Sequence, residues 1–313
     1  MTIEQKFIDQ FVNVTSKAAV ASYNYVGKKD KIAADKAAVD SIRNDLNQLN
    51  IKGKIVIGEG ELDEAPMLYI GEKVGTTNGP EIDIAVDPLE GTNFAANNLP
   101  GALSVIAIAE KNNLFHAPET YMEKISTKVN EKGVVDLDYS TKENIFNLCE
   151  YLNKKPESIT ACVMDRPRHK DIIDELNILG VKIKLITDGD VSGALLVTDD
   201  KYGVDIFLGI GGGPEGVLAS AALDTFECSF QGRFLFHTEE DKRRANKMGI
   251  TNLSKKYELD EIVKGDSIFC ATGITSGDLV SGIIKENNKF ITETLVTHKS
   301  TGLKKIIKKV VNR

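Results

Sequence analysis

The chain has 313 residues, 42% hydrophobic and 27% charged, with a formal net charge of −7. That is the composition of a soluble protein with room for one large domain or two packed ones. The acidic balance leaves no footprint for a nucleic-acid backbone, and no run approaches the length of a membrane span. Met1–Lys6 is polar and lacks the apolar core of a signal peptide. Cys149, Cys162, Cys228 and Cys270 form no C-x-x-C pair, so they are expected as reduced, buried thiols of a cytoplasmic protein rather than a disulfide frame or a zinc site.

In chain order, Phe7, Phe11, Val14, Ala18, Ala21 and Tyr25 recur at helical spacing, and Gly27 ends the run. Lys28-Lys29-Asp30-Lys31 reads as an exposed basic turn. Asp35 then opens a second helix with Ala38, Val39, Ile42, Leu46 and Leu49 on its apolar face; taken alone, Asp35 is a helix N-cap. Lys54–Ile57 is a short strand running into Gly58-Glu59-Gly60-Glu61, where small residues expose two acids. Glu61, Asp63 and Glu64 suit the first turn of a following helix.

The most informative stretch is Ile82-Asp83-Ile84-Ala85-Val86-Asp87-Pro88-Leu89-Glu90-Gly91-Thr92-Asn93. Its β-branched part predicts a strand closed by Asp87 and stopped by Pro88, which cannot donate to a ladder. Glu90 follows on a turn where both carboxylates can point at one spot. Two carboxylates held together need a proton or a cation between them, and oxygen-only ligands suit Mg²⁺ or Mn²⁺. Gly91 allows close approach of the backbone, and the Gly91 and Thr92 amides can face an anion. An acidic turn at a strand end is the plain alternative. Ala102–Ala109 is a strand buried on both faces, and Tyr121, after a Pro118 turn, reads as a core aromatic.

From about Thr141 helices alternate with strands, at Ile159–Met164, Val181–Thr187 and Val204–Leu208, which predicts parallel βαβ units. Ligands of such sheets bind beyond the carboxyl ends of the strands. Those ends carry Asp165-Arg166-Pro167-Arg168-His169, Asp188-Gly189-Asp190 and the glycine-rich Gly209–Gly216 run. Cations at a helix N-terminus oppose its dipole, so Arg166 and Arg168 imply an anion nearby. Asp190 alone would be an N-cap; with Asp188 it could accept from sugar hydroxyls. Gly211, Gly213 and Gly216 fit G-x-G-x-x-G, but Glu215 would repel a pyrophosphate and would serve a metal instead. Phe230–Phe236 and Ser267–Ile274 read as strands and Glu239–Met248 as a charged helix. The terminal Lys304–Val311 is expected as a basic edge segment docked on the body rather than a membrane-surface helix.

The D-P-x-[DE]-G-T segment at Asp87–Thr92 resembles the signature of the lithium-sensitive, metal-dependent sugar and inositol phosphatases. Together with Ile57–Met67 it is similar to bacterial class II fructose-1,6-bisphosphatases, and the likeness covers nearly the whole chain. The resemblance implies an α/β fold with a layered α-β-α-β-α architecture, mixed α+β in its first half and parallel βαβ in its second. Residues 1–155 would form a metal-binding domain and 156–313 a substrate domain, with about the last 40 residues packing back on the first. It implies two or more Mn²⁺ or Mg²⁺ ions held by Asp35, Glu59, Asp87, Glu90 and Glu215. It also implies a substrate contacted by Lys31, Glu90, Gly91, Thr92, Tyr121, Arg166, Pro167, Arg168, Asp188, Gly189, Asp190 and Gly212, with Thr92, Asp87 and Glu90 carrying the chemistry. Arg166 stands where many relatives have lysine, which alters phosphate geometry rather than charge. The implied reaction is hydrolysis of fructose 1,6-bisphosphate in gluconeogenesis by a homo-oligomer. Sedoheptulose 1,7-bisphosphate and inositol phosphates are the alternative substrates, and a phosphosugar-binding regulator is the alternative without chemistry.

Overall fold

The computed structural model describes residues 3–58 and 68–312. The chain divides into one unit made of Met1–His116 and Val263–Arg313 and another made of Ala117–Ile262. The first unit begins with α1 (Lys6–Tyr23), α2 (Lys31–Leu46), β1 (Lys52–Ile57), β2 (Lys73–Val74), β3 (Glu81–Glu90), α3 (Thr92–Asn97) and β4 (Leu103–Glu110). The second unit supplies β5 (Tyr121–Thr127), α4 (Thr141–Leu152), β6 (Thr160–Met164), α5 (Lys170–Ile178), β7 (Lys182–Ile186), α6 (Asp190–Leu195), β8 (Ile206–Gly212), α7 (Gly213–Thr225), β9 (Ser229–Leu235), α8 (Glu239–Lys247), β10 (Lys256–Glu258) and α9 (Leu259–Ile262). The chain then returns to the first unit as β11 (Ser267–Gly273), β12 (Ile284–Glu286), β13 (Lys289–His298) and β14 (Leu303–Asn312).

In the first unit the strands run β12-β13-β11-β4-β3-β1-β2, with β14 added on β13. Only β1 and β3 among these described pairs are parallel. The helical spacing of Phe7, Phe11, Val14 and Ala18 buries that stripe of α1 with Ile42 and Leu46 of α2 against Ile84, Ile106, Ile108 and Cys270 of the sheet. At roughly 25 cal/mol per Å², such burial is the main force holding helices to sheet. The basic segment at the end is an edge strand: β14 pairs with β13 along its length, and Leu303, Ile307 and Val311 pack on the core. Lys304 and Lys308, on the opposite face with Ile306 and Val310, are exposed, and charge on an edge strand discourages further pairing.

In the second unit the order is β10-β9-β5-β8-β6-β7. The expected parallel units are β8, β6 and β7; β5, β9 and β10 join antiparallel. The division falls at Ala117 rather than after residue 155, because β5 lies between β8 and β9 and takes its residues into this sheet. The core gathers Ile125, Ile145, Leu148, Ile159, Val163, Leu176 and Ile206. No helix among the described residues is long and apolar enough to cross a membrane.

Candidate active site

β3 does not stop at Pro88. It runs on to Glu90, with a bulge between Asp87 and Glu90. Asp87 pairs with Val105 and Glu90 with Leu103, so three steps on β3 match two on β4. Pro88 therefore sits where the ladder makes no bond, and its missing N–H costs nothing. The extra residue also reverses the pleat. Val105 and Leu103, two apart, share a face of β4, so Asp87 and Glu90 share a face as well. A regular strand would have put residues three apart on opposite faces. The Leu89 N–H donates to Asp87 Oδ1 at 3.1 Å and holds the bulge, and Glu90 is only 5% exposed.

Gly91 follows with φ +76°, a left-handed conformation, and a Cβ there would lie 2.8 Å from Phe94 Cδ2. That turn starts α3 at Thr92, where the first amides of a helix have no acceptor within it. The start of α2 is tied to the same place, since the Gly27 and Lys29 amides donate to the Ala95 and Ala96 carbonyls at 2.9 and 2.8 Å. The cap of α2 is Asp30, whose Oδ1 accepts from Ala33 N–H at 2.9 Å, and Lys31 is its exposed first residue. Asp35 is thus not an N-cap but a partly buried position one turn into the helix. Glu59 lies outside the described residues, as do Glu61, Asp63 and Glu64. Among the described residues no three His, Cys, Asp or Glu side chains are grouped to hold an ion by themselves. Asp35, Asp87 and Glu90 each offer the oxygen donors that a hard divalent cation takes.

In the second unit, parallel strands bring the loops after β6 and β7 to one edge, where Asp165 N–H donates to the Ile186 carbonyl at 2.7 Å. The glycine run is not a loop. Gly209–Gly212 complete β8, and α7 begins at Gly213 without a connection. Tyr121 pairs with Gly212, and the Arg168 guanidinium lies 4.8 Å over the Tyr121 ring. Arg168 Nε and Nη2 donate to the Ile210 carbonyl at 3.0 and 2.8 Å. Tyr121, Arg168 and Gly212 therefore come together, and Tyr121 is a surface aromatic rather than a core one, 45% exposed. Arg166 turns back to the Asp165 carbonyl at 3.0 Å, and Pro167 opens a single 3₁₀ turn.

Asp190 is the first residue of α6, with Gly189 as its N-cap at φ +83°. Its carboxylate does not cap the helix; it is buried and ion-paired with Lys124 of β5. Glu215, in the first turn of α7, is partly buried, and its carboxyl stands above the usual range. Burial is the main cause; Lys124 opposes the rise, while Asp190 and Asp188 add to it. A Cβ on Gly212 would fall 1.9 Å from Glu215 Oε2, so this carboxyl needs glycine beside it. A pocket of about 400 Å³ is lined by Tyr121, Gly212, Pro214, Glu215 and His237 among others.

Two of these residues escaped the sequence reading. Lys124 had a signal: with strand alternation it shares a face with Met122 and Ser126, both buried, and a charge at an inward position demands a partner. His237, ring to ring with Tyr121 at 6.3 Å, had none.

The family described as bacterial fructose-1,6-bisphosphatase, glpX-encoded, matches residues 5–311 of the chain. A protein of Synechococcus sp. (strain JA-3-3Ab), named D-fructose 1,6-bisphosphatase class 2/sedoheptulose 1,7-bisphosphatase, is 41% identical over 92% of this chain and 90% of its own. One of Escherichia coli (strain K12), named fructose-1,6-bisphosphatase 1 class 2, is 42% identical over 95% of this chain and 93% of its own.

Proposed function

The chain belongs to the bacterial glpX-encoded fructose-1,6-bisphosphatase family, and on that premise we propose that it hydrolyses fructose 1,6-bisphosphate to fructose 6-phosphate and inorganic phosphate, as a cytoplasmic enzyme of gluconeogenesis. The geometry that supports this best is the bulge of β3, which turns Asp87 and Glu90 to one face immediately before Gly91 and Thr92.

Asp35, Asp87 and Glu90 would hold Mn²⁺ or Mg²⁺; Glu59 and Glu215 join that set by the family resemblance alone. When bound, such ions supply Lewis acidity toward phosphoryl oxygens and acidify water. The Thr92 hydroxyl orients the attacking water, and the Gly91 and Thr92 amides grip the phosphoryl group being transferred. Lys31 adds positive charge for the same group. Arg168, backed by Tyr121, receives the remote phosphate with Arg166, and Asp188 accepts from sugar hydroxyls; Asp190, buried against Lys124, anchors the start of α6 behind them rather than reaching the sugar. A homo-oligomer of two or four chains belongs to the same reading and is checked by light scattering.

The test is phosphate release from fructose 1,6-bisphosphate with Mn²⁺ or Mg²⁺. Thr92→Ala and excess EDTA should each abolish it, and unchanged turnover in EDTA would overturn the metal assignment. The name of the Synechococcus relative favours a second substrate, so sedoheptulose 1,7-bisphosphate belongs in the same assay.

A further inference from the structure

His169 is fully buried, and both of its ring nitrogens are engaged. Nδ1 lies 2.7 Å from the Met164 carbonyl oxygen at the end of β6, and Nε2 lies 2.7 Å from the Ile210 amide nitrogen in β8. A backbone amide only donates and a carbonyl only accepts. The ring is therefore neutral, with its proton on Nδ1 given to Met164 and its Nε2 lone pair accepting from Ile210.

The cause lies in unequal strand lengths. β6 ends at Met164, while β8 runs on past its last pairing with β6 at Phe207, so the edge of Ile210 needs other partners. Two consecutive residues supply them, as His169 takes the Ile210 N–H and Arg168 takes the Ile210 carbonyl. Gly209 makes room, since a Cβ there would stand 3.1 Å from His169 Nε2.

We propose that His169 is a positioning residue for Arg168: the neutral ring fixes Ile210, Ile210 fixes the guanidinium over Tyr121, and a proton on the ring would release both and weaken substrate binding. The inference rests on the reading of Arg168 as the acceptor of the remote phosphate. A protonated ring would turn a second N–H toward the Ile210 N–H, where no acceptor stands. The charged groups facing the ring are Arg168 on its own loop and Asp190 on α6; β6 and β8 carry no acid or cation. Burial lowers the affinity of the ring for a proton and Arg168 adds to this, while Asp190 opposes it.

The experiment compares wild type, His169→Phe and His169→Gln in steady-state hydrolysis of fructose 1,6-bisphosphate between about pH 5 and 8. Phenylalanine fills the space without an acceptor, and KM should rise about tenfold with kcat within about twofold. Glutamine can accept from Ile210 and cannot be protonated. It should restore KM at neutral pH, and the ratio of wild-type KM to its KM should climb as pH falls, which cancels titration of the substrate itself. If the Phe variant melts earlier with KM unmoved, or the ratio stays flat, His169 is structural only and the inference is overturned. If the Phe variant does not fold, the ratio decides alone. If wild type releases no phosphate at all, the functional reading fails, and this one with it.

Discussion

Lys124 of β5 and Asp190 of α6 form an ion pair sealed inside the second unit, their side chains 1% and 6% exposed. Asp190 Oδ2 takes the ammonium, and Oδ1 meets no hydrogen-bond donor among the described residues. The pair joins the strand that carries Tyr121 to the helix that starts with Asp190, so structure and site share one contact.

Removing one partner strands the other charge in a medium of low dielectric. Lys124→Met should cost about 3–5 kcal/mol of stability by urea unfolding. Adding Asp190→Asn to it should return much of that loss, because the group that Lys124 paired with then no longer carries a charge. A double variant no more stable than Lys124→Met would show that packing, not charge, sets the cost.

Glu90→Gln keeps the shape of a side chain 5% exposed and removes its charge. Turnover should fall about a hundredfold or more, the scale on which single electrostatic contacts act in catalysis. Circular dichroism should be unchanged. Activity near wild type in the variant would remove Glu90 from the chemistry.

Gly91→Ala places a Cβ at φ +76°, 2.8 Å from Phe94 Cδ2. The left-handed conformation costs an L-residue about 1–2 kcal/mol, before the Phe94 ring has to move. A fall of a few degrees in Tm is expected, with a loss of turnover because the Thr92 amide shifts with the turn. Thermal unfolding and the phosphate assay check both.

Stability against acid should depend on Asp136. Burial by itself would raise its carboxyl, but hydrogen bonds from Lys256, the Asp138 amide and Gln231 hold it below the ordinary 3.8. The fold therefore favours the charged form. Its stabilisation is complete above that ordinary value and is lost as pH falls from there through the lowered one. Asp136→Asn should be less stable than wild type by about 1.5 kcal/mol at neutral pH, and the gap should close below about pH 4. A gap that persists at lower pH would assign the effect to shape.

The periodic elements were legible because periodicity is carried by neighbours in the chain. Phe7, Phe11, Val14 and Ala18 mark one face of α1 whatever it packs on, and the β-branched run before Asp87 marks a strand. The acids and glycine around Thr92 were legible as a motif for the same reason.

What was misplaced depended on partners far away. Pro88 ends a strand only if its N–H is needed, and the register with β4 removes that need. Asp30 and Asp35 are equally good caps by type; the bonds from Gly27 and Lys29 to α3 start α2 at Lys31 and so choose Asp30. The unit boundary moved because β5 finds its neighbours in β8 and β9, long after it in the chain. Local sequence thus determined the main periodic helices and strands, since those follow from side-chain spacing and type, whereas β5 and β13 were recognised only by their pairing. Pairing alone decided that Asp87 and Glu90 share a face, that Lys124 meets Asp190 and that His169 is neutral, because each needs a hydrogen-bond or charge partner that nearby sequence does not contain.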